Sequence, residues 1–130
     1  MKIKTSELTG ATLDWAVAIA EGYGEPNRLF LYGEPKKHVR IANQDGIEHT
    51  YAYSFKANFS TDWSQGGPII EREISELYEH KPLECWAAKS KAGDLRYGPA
   101  SLIAAMRCYV ASKLGDEVEV PDELSTGQAT

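Results

Sequence analysis

Cysteine and histidine are scarce, long apolar runs are missing, and the chain has no excess of basic charge; each shortage closes off a class of function. Cys85 and Cys108 are the two cysteines. They form neither a C-x-x-C pair nor a metal-ligand spacing, and each sits in an apolar stretch, Cys85-Trp86-Ala87 and Met106-Arg107-Cys108-Tyr109. Reduced, buried thiols acting as small hydrophobes are the expectation. His38, His49 and His80 stand apart, with no second His, Cys or carboxylate at i+4 on a shared helix face to build a zinc site. No cofactor or metal is expected. No stretch approaches the ~18–20 apolar residues of a membrane span, and no signal-peptide core follows Met1-Lys2-Ile3-Lys4, so a cytoplasmic protein is expected.

The missing basic excess is more telling once the charge is located. The net charge is −5, and Asp116, Glu117, Glu119, Asp122 and Glu123 account for all of it. The preceding residues are therefore neutral as a group and offer no broad positive field. That argues against direct nucleic-acid binding, which depends on neutralising phosphates. The densest basic group, Lys36, Lys37, His38 and Arg40, reads as a solvated loop and strand edge. There is no nucleophile elbow, Walker loop or dinucleotide fingerprint, so the pattern leans away from an enzyme.

With 42% hydrophobic and 25% charged residues, the 130-residue chain has ordinary globular composition. It reads as a single domain over 1–130, with 118–130 an edge segment and frayed tail. The expected class is α+β: a small, mainly antiparallel sheet packed with two long helices, about 8–21 and 99–114, and a short central helix, about 62–73. In the last helix Leu102, Ile103, Met106, Tyr109, Val110 and Leu114 follow helical spacing, Pro99 suits its first turn, and Gly115 suits its left-handed end. Arg107 and Lys113 fall on or near its polar side. The first helix starts at Thr5 or Thr9, carries Leu8, Ala11, Trp15, Ala18 and Ile19 on one stripe, and stops at Gly22. Short strands are expected at Leu29–Tyr32, around Val39 and Ile41, and at Tyr51, Tyr53 and Phe55. Ser60, Thr61 and Asp62 are competent caps for the central helix, with Gly66-Gly67 breaking it and Pro68 restarting it. Ile74–His80 fits two readings, a continued helix through Ile70, Ile74, Leu77 and Tyr78 or a strand after a break at Glu73, and helix followed by strand is the preferred one; Leu83–Lys89 forms another strand, and the loop Lys91–Asp94 leads to the last helix. Val118–Val120 adds an edge strand ended by Pro121.

Three blocks in order across the chain carry a family resemblance. They are Ser6-Glu7-Leu8-Thr9-Gly10 with Leu13-Asp14-Trp15-Ala16-Val17-Ala18; Ser60-Thr61-Asp62-Trp63-Ser64-Gln65-Gly66-Gly67-Pro68-Ile69-Ile70-Glu71-Arg72-Glu73; and Leu102 through Val118. Together they resemble the phage NinX-like proteins, related to the phage α-β-α sandwich domain, with about residues 23–58 outside the resemblance. It implies a bacteriophage or prophage origin, the cytoplasm of a bacterial host, and a small sheet packed with helices. It implies no reaction. Where relatives often end the short helix on a glycine, this chain has Ile74-Ser75-Glu76.

Candidate site residues cluster in the second block. Asp62, Trp63, Gly66, Gly67 and Arg72, beside Glu71 and Glu73, offer an aromatic wall, a guanidinium and carboxylates. Two functions fit. In the first, Trp63 and Arg72 are interface anchors for a host or phage protein, with the acidic C-terminal segment guiding a basic partner. In the second, Asp62-Trp63, Gly66-Gly67 and Arg72 hold a small polar ligand or serve a minor enzyme. A homodimer through the last helix or the Val118–Val120 edge is compatible with either. A weaker anion-site candidate lies at Gly98 near Arg96.

Overall fold

The computed structural model of the chain describes residues 1–23, 38–40 and 54–125. In chain order these form β1 (Lys2–Lys4), α1 (Gly10–Ala20), β2 (His38–Arg40), β3 (Ser54–Lys56), α2 (Trp63–Glu73), β4 (Ile74–His80), β5 (Cys85–Ser90), β6 (Leu95–Gly98), α3 (Ser101–Leu114), β7 (Glu117–Glu119) and α4 (Asp122–Ser125). Short 3-10 turns at Thr5–Glu7 and Lys81–Leu83 complete the order. The class is α+β. The expected strand at Leu29–Tyr32, most of the basic group at 36–40, His49, and the tail 126–130 lie outside the described residues.

α3 forms the centre. Leu102, Ala104, Ala105, Met106, Cys108, Tyr109, Val110 and Ala111 are all buried, so this helix is enclosed on most sides rather than simply amphipathic. It packs against β4, β5 and β6, and also against α1 and α2. Small residues make this close packing feasible. Gly98 on β6 is the clearest case, because a Cβ there would stand 2.7 Å from the Ala104 backbone nitrogen. Pro99 falls before the N-cap, Ala100, so the helix begins two residues later than Pro99 would place it. Gly115 ends it at φ 91°, the left-handed backbone region that glycine enters without penalty. Arg107, read as a polar-side residue, is a half-buried bridge: its Nε donates to the Leu8 carbonyl at 2.7 Å and its Nη1 to the Tyr97 carbonyl at 3.0 Å.

α1 starts at Gly10 with Thr9 as cap; the Thr12 Oγ1 accepts from the Thr9 amide at 3.2 Å and donates to the Thr9 carbonyl at 2.8 Å. Its buried set is Thr12, Leu13, Asp14, Ala16, Val17 and Ala18. The stripe expected from spacing is therefore turned: Ala11, Trp15 and Ile19 lie at the half-buried rim, while Leu13, Ala16 and Val17 go inward. Small inward residues let α1 approach the alanine-rich surface of α3.

β4, β5 and β6 form an antiparallel three-stranded sheet in sequence order. In its register Glu79 faces Trp86, which faces Gly98, and Tyr78 faces Ala87, which faces Tyr97. A bulge lies between Ile74 and Glu76, and the Ser75 hydroxyl there donates to the Lys89 carbonyl at 3.1 Å. β6 was not anticipated from the sequence. β1 and β7 form a second antiparallel pair with Ile3 opposite Val118, whereas β2 and β3 run parallel with Val39 opposite Phe55. The chain beyond Gly115 also adds α4, and Val118, Val120 and Leu124 enter the core. As for the two dimer surfaces considered, α3 is largely enclosed and β7 is paired along one edge by β1.

Candidate functional site

The central helix begins on a tightly tied segment. The Asn58 carbonyl accepts the amides of Thr61 and Asp62 at 3.1 and 2.7 Å, and the Asn58 amide donates to Gln65 Oε1 at 2.7 Å. Asp62 caps the helix, its Oδ1 accepting the Ser64 amide at 2.8 Å and the Ser64 hydroxyl at 2.6 Å. These bonds, the hydroxyl first, hold its carboxyl below the usual aspartate range. Underneath, the Ser60 amide donates to Asp14 Oδ1 on α1 at 2.9 Å. Asp14 is buried, and burial pushes its pKa up to about 6 against the opposing pull of Ser60. The Ser60 hydroxyl is itself buried without a hydrogen bond among the described residues.

α2 then runs unbroken from Trp63 to Glu73 with Pro68 inside it, so the break and restart expected at Gly66-Gly67-Pro68 does not occur. Its bounds agree with those expected, about 62–73. Packing holds it together across the proline. Ile69 is buried, and Gly66 lies so close to α3 that a Cβ would meet Leu102 Cδ1 at 2.5 Å and the Phe59 carbonyl oxygen at 2.8 Å. Its neighbour Gly67 faces open space. The paired glycines thus have different surroundings: one permits close helix packing, and at the other a side chain would meet no neighbour.

Trp63 lies on the outer surface, 53% exposed, in the first turn. Glu71 and Pro68 are exposed as well, about 80° and 140° around the helix axis from Trp63. Arg72 is nine residues from Trp63, which at 1.5 Å rise and 3.6 residues per turn is about 13 Å along the axis and half a turn away. The two anchors are therefore not brought together. Arg72 binds inward along its own edge: Nη2 pairs with Glu21 at the end of α1, Nε with Glu73 at 3.0 Å, and its guanidinium carbon is 5.8 Å from the Tyr109 ring centroid. Tyr109 donates its hydroxyl to Glu21, and burial first, then Glu21, raises its pKa. Glu73 also meets Lys113 Nζ at 3.4 Å, and the Arg72 hydrogen bond is the largest cause of its lowered pKa. This network ties α1, α2 and α3 together.

Elsewhere, Arg96 near Gly98 pairs with Asp116 at 2.6 Å. Cys108 is buried, with its thiol pKa raised by burial and its Sγ bonded to the Asp94 carbonyl at 3.2 Å, as expected of a packed thiol. Cys85 differs from that expectation, being only half-buried. It lines a cleft of about 500 Å³ with Glu79, Lys81, Glu84, Trp86 and Pro99. Sequence reading missed this cleft because its residues are joined only by strand register; the one available signal was a tryptophan in a strand followed, across the sheet, by Gly98-Pro99.

Among the described residues, no group of three His, Cys, Asp or Glu side chains is placed to hold a metal ion, and no helix is long and apolar enough to cross a membrane. No curated protein matches the chain. The family model described as "Bacteriophage P22, NinX" matches residues 4–113, from β1 through nearly all of α3, including the middle region that the resemblance left out. The chain therefore belongs to the bacteriophage P22 NinX family.

Proposed function

We propose that this is a bacteriophage or prophage accessory protein that works in the bacterial cytoplasm by binding a host or phage protein through the exposed face of α2. Trp63 carries the reading. It is a large aromatic side chain, 53% exposed, on a helix start fixed by the Asp62 cap, the Asn58 turn and the Ser60–Asp14 bond. An aromatic side chain presented on rigid backbone supplies contact area with little entropy lost on binding, which is the property of interface anchors. Gly67, one helical turn farther on, carries no side chain to crowd a partner beside it. Arg72 is assigned to the ion-pair network instead. The alternative, a polar-ligand site or minor enzyme built from Asp62-Trp63, Gly66-Gly67 and Arg72, needs these groups around one cavity, and α2 distributes them over different faces.

The test is affinity capture of the tagged protein from nuclease-treated, phage-infected host lysate, with Trp63→Ala in parallel. A stoichiometric protein recovered by the wild type and lost with the equally stable variant is expected. Equal recovery by both forms would contradict docking through Trp63.

A further inference from the structure

The cleft at the end of the three-stranded sheet gathers exposed charges of both signs around a half-buried indole. Glu79, Lys81 and Glu84 line one cleft of about 500 Å³, and among the described residues none of the three side chains has an ion pair or hydrogen bond, although the Glu84 amide donates to the Lys81 carbonyl at 3.1 Å. Charges of both signs therefore stand apart around a space that a dipolar molecule could fill.

The walls narrow the chemistry. Glu79 lies opposite Trp86 in the β4–β5 register, and Trp86 lies opposite Gly98, next to Pro99, so carboxylate, indole and proline ring follow one another across the sheet. A carboxylate beside a half-buried indole suits a flat cation, which can stack on the ring while donating hydrogen bonds to the oxygens. Glu84 supplies the second carboxylate from a position at φ 51°, ψ 45°, and it is the one non-glycine residue with positive φ among the described residues. That conformation is unfavourable for a side chain with a Cβ, and such strain recurs at ligand-binding positions. Two carboxylates and one ammonium leave the lining one negative charge in excess.

We propose that this cleft binds a molecule bearing both a guanidinium and a carboxylate, either free arginine or a polypeptide chain ending in arginine. The guanidinium stacks on Trp86 between Glu79 and Glu84, and the carboxylate meets Lys81. The site is independent of docking through Trp63.

The experiment follows the tryptophan indole N–H resonances of the full chain by NMR, with Trp86 assigned through Trp86→Phe. L-Arginine is titrated against L-citrulline, which lacks the charge, agmatine, which lacks the carboxylate, and N-acetyl-L-arginine, which imitates a chain end. Saturable movement of the Trp86 signal by L-arginine is expected, with citrulline weaker by about tenfold or more and agmatine in between, since lost charge-assisted bonds cost most. N-acetyl-L-arginine as strong as L-arginine identifies a chain end as a fitting source; much weaker binding identifies the free amino acid. Glu79→Gln and Glu84→Gly should each lose binding. Glu84→Gly should do so while melting at or above the wild-type temperature, because glycine relieves the backbone, and Trp63→Ala should leave binding unchanged. Citrulline equal to arginine, no saturable shift, or full affinity in Glu84→Gly would overturn the proposal.

Discussion

The two ends of α2 carry similar residue types but have opposite surroundings. At the first turn, Asp62 is spent on capping, Ser60 and Asn58 fix the approaching backbone, and Trp63 faces outward. At the last turn, Arg72 and Glu73 are drawn into bonds with Glu21, Tyr109 and Lys113. A cluster of aromatic, acidic and basic residues in sequence thus resolves into an anchor at one end and a tie at the other. Helical geometry alone separates them, since nine residues are half a turn out of phase.

That contrast can be tested from the largest effect downward. The support beneath the first turn should respond most. Asp14 has a folded pKa of about 6 against 3.8 for the unexposed-to-burial reference, so the folded form binds a proton more tightly than the unfolded form does. Its burial costs stability above pH 6, and that cost disappears as pH falls from about 6 toward 4, opposite to the usual acid loss. Asp14→Asn, which keeps an acceptor for the Ser60 amide, should gain roughly 2–3 kcal/mol at neutral pH, from ~1.4 kcal/mol per pKa unit, and should flatten this part of the pH profile. Urea unfolding at several pH values measures both.

Next come the paired glycines. Gly66→Ala forces a Cβ against Leu102 and the Phe59 carbonyl and should lose about 1–3 kcal/mol, less what alanine returns in helix propensity. Gly67→Ala meets nothing and should gain up to about 1 kcal/mol. Chemical denaturation of the two variants side by side would remove the distinction if both lost stability equally. Smaller still, Arg72→Ala breaks a half-exposed ion-pair network and should cost about 1 kcal/mol or less, read as a lower melting temperature that high salt partly reproduces in the wild type. Trp63→Ala should change stability least, within about 0.5 kcal/mol, because about half of the residue is already in solvent and it takes no part in the ties between helices.

Features set by local chemistry were legible in the sequence. The Asp62 cap, the Gly115 stop and the helical spacing of 102–114 depend on near neighbours and are found in the structure, whereas the helix-to-strand boundary within 74–80 stayed open in the sequence and falls at Ile74. Features set by tertiary packing were not. α2 passes through Pro68 because Gly66 and Ile69 fasten it to the body, an effect stronger here than the local helix-breaking tendency. α1 presents Leu13 and Val17 inward because α3 offers small residues, and four-residue β6 leaves little alternation to detect. Of the candidate site, the types were readable but not their partners: Arg72 finds Glu21 from a different helix, and the cleft residues meet through register between strands.

The most direct test of the division along α2 is to melt Trp63→Ala and Arg72→Ala and, in parallel, measure capture of the lysate partner by each at a temperature where both are folded. The expected pattern is crossed: Trp63→Ala melts with the wild type and loses the partner, whereas Arg72→Ala melts lower and keeps it. A Trp63→Ala protein that is the less stable of the two, or a folded Arg72→Ala protein that alone loses the partner, would contradict the assignment of anchor and tie.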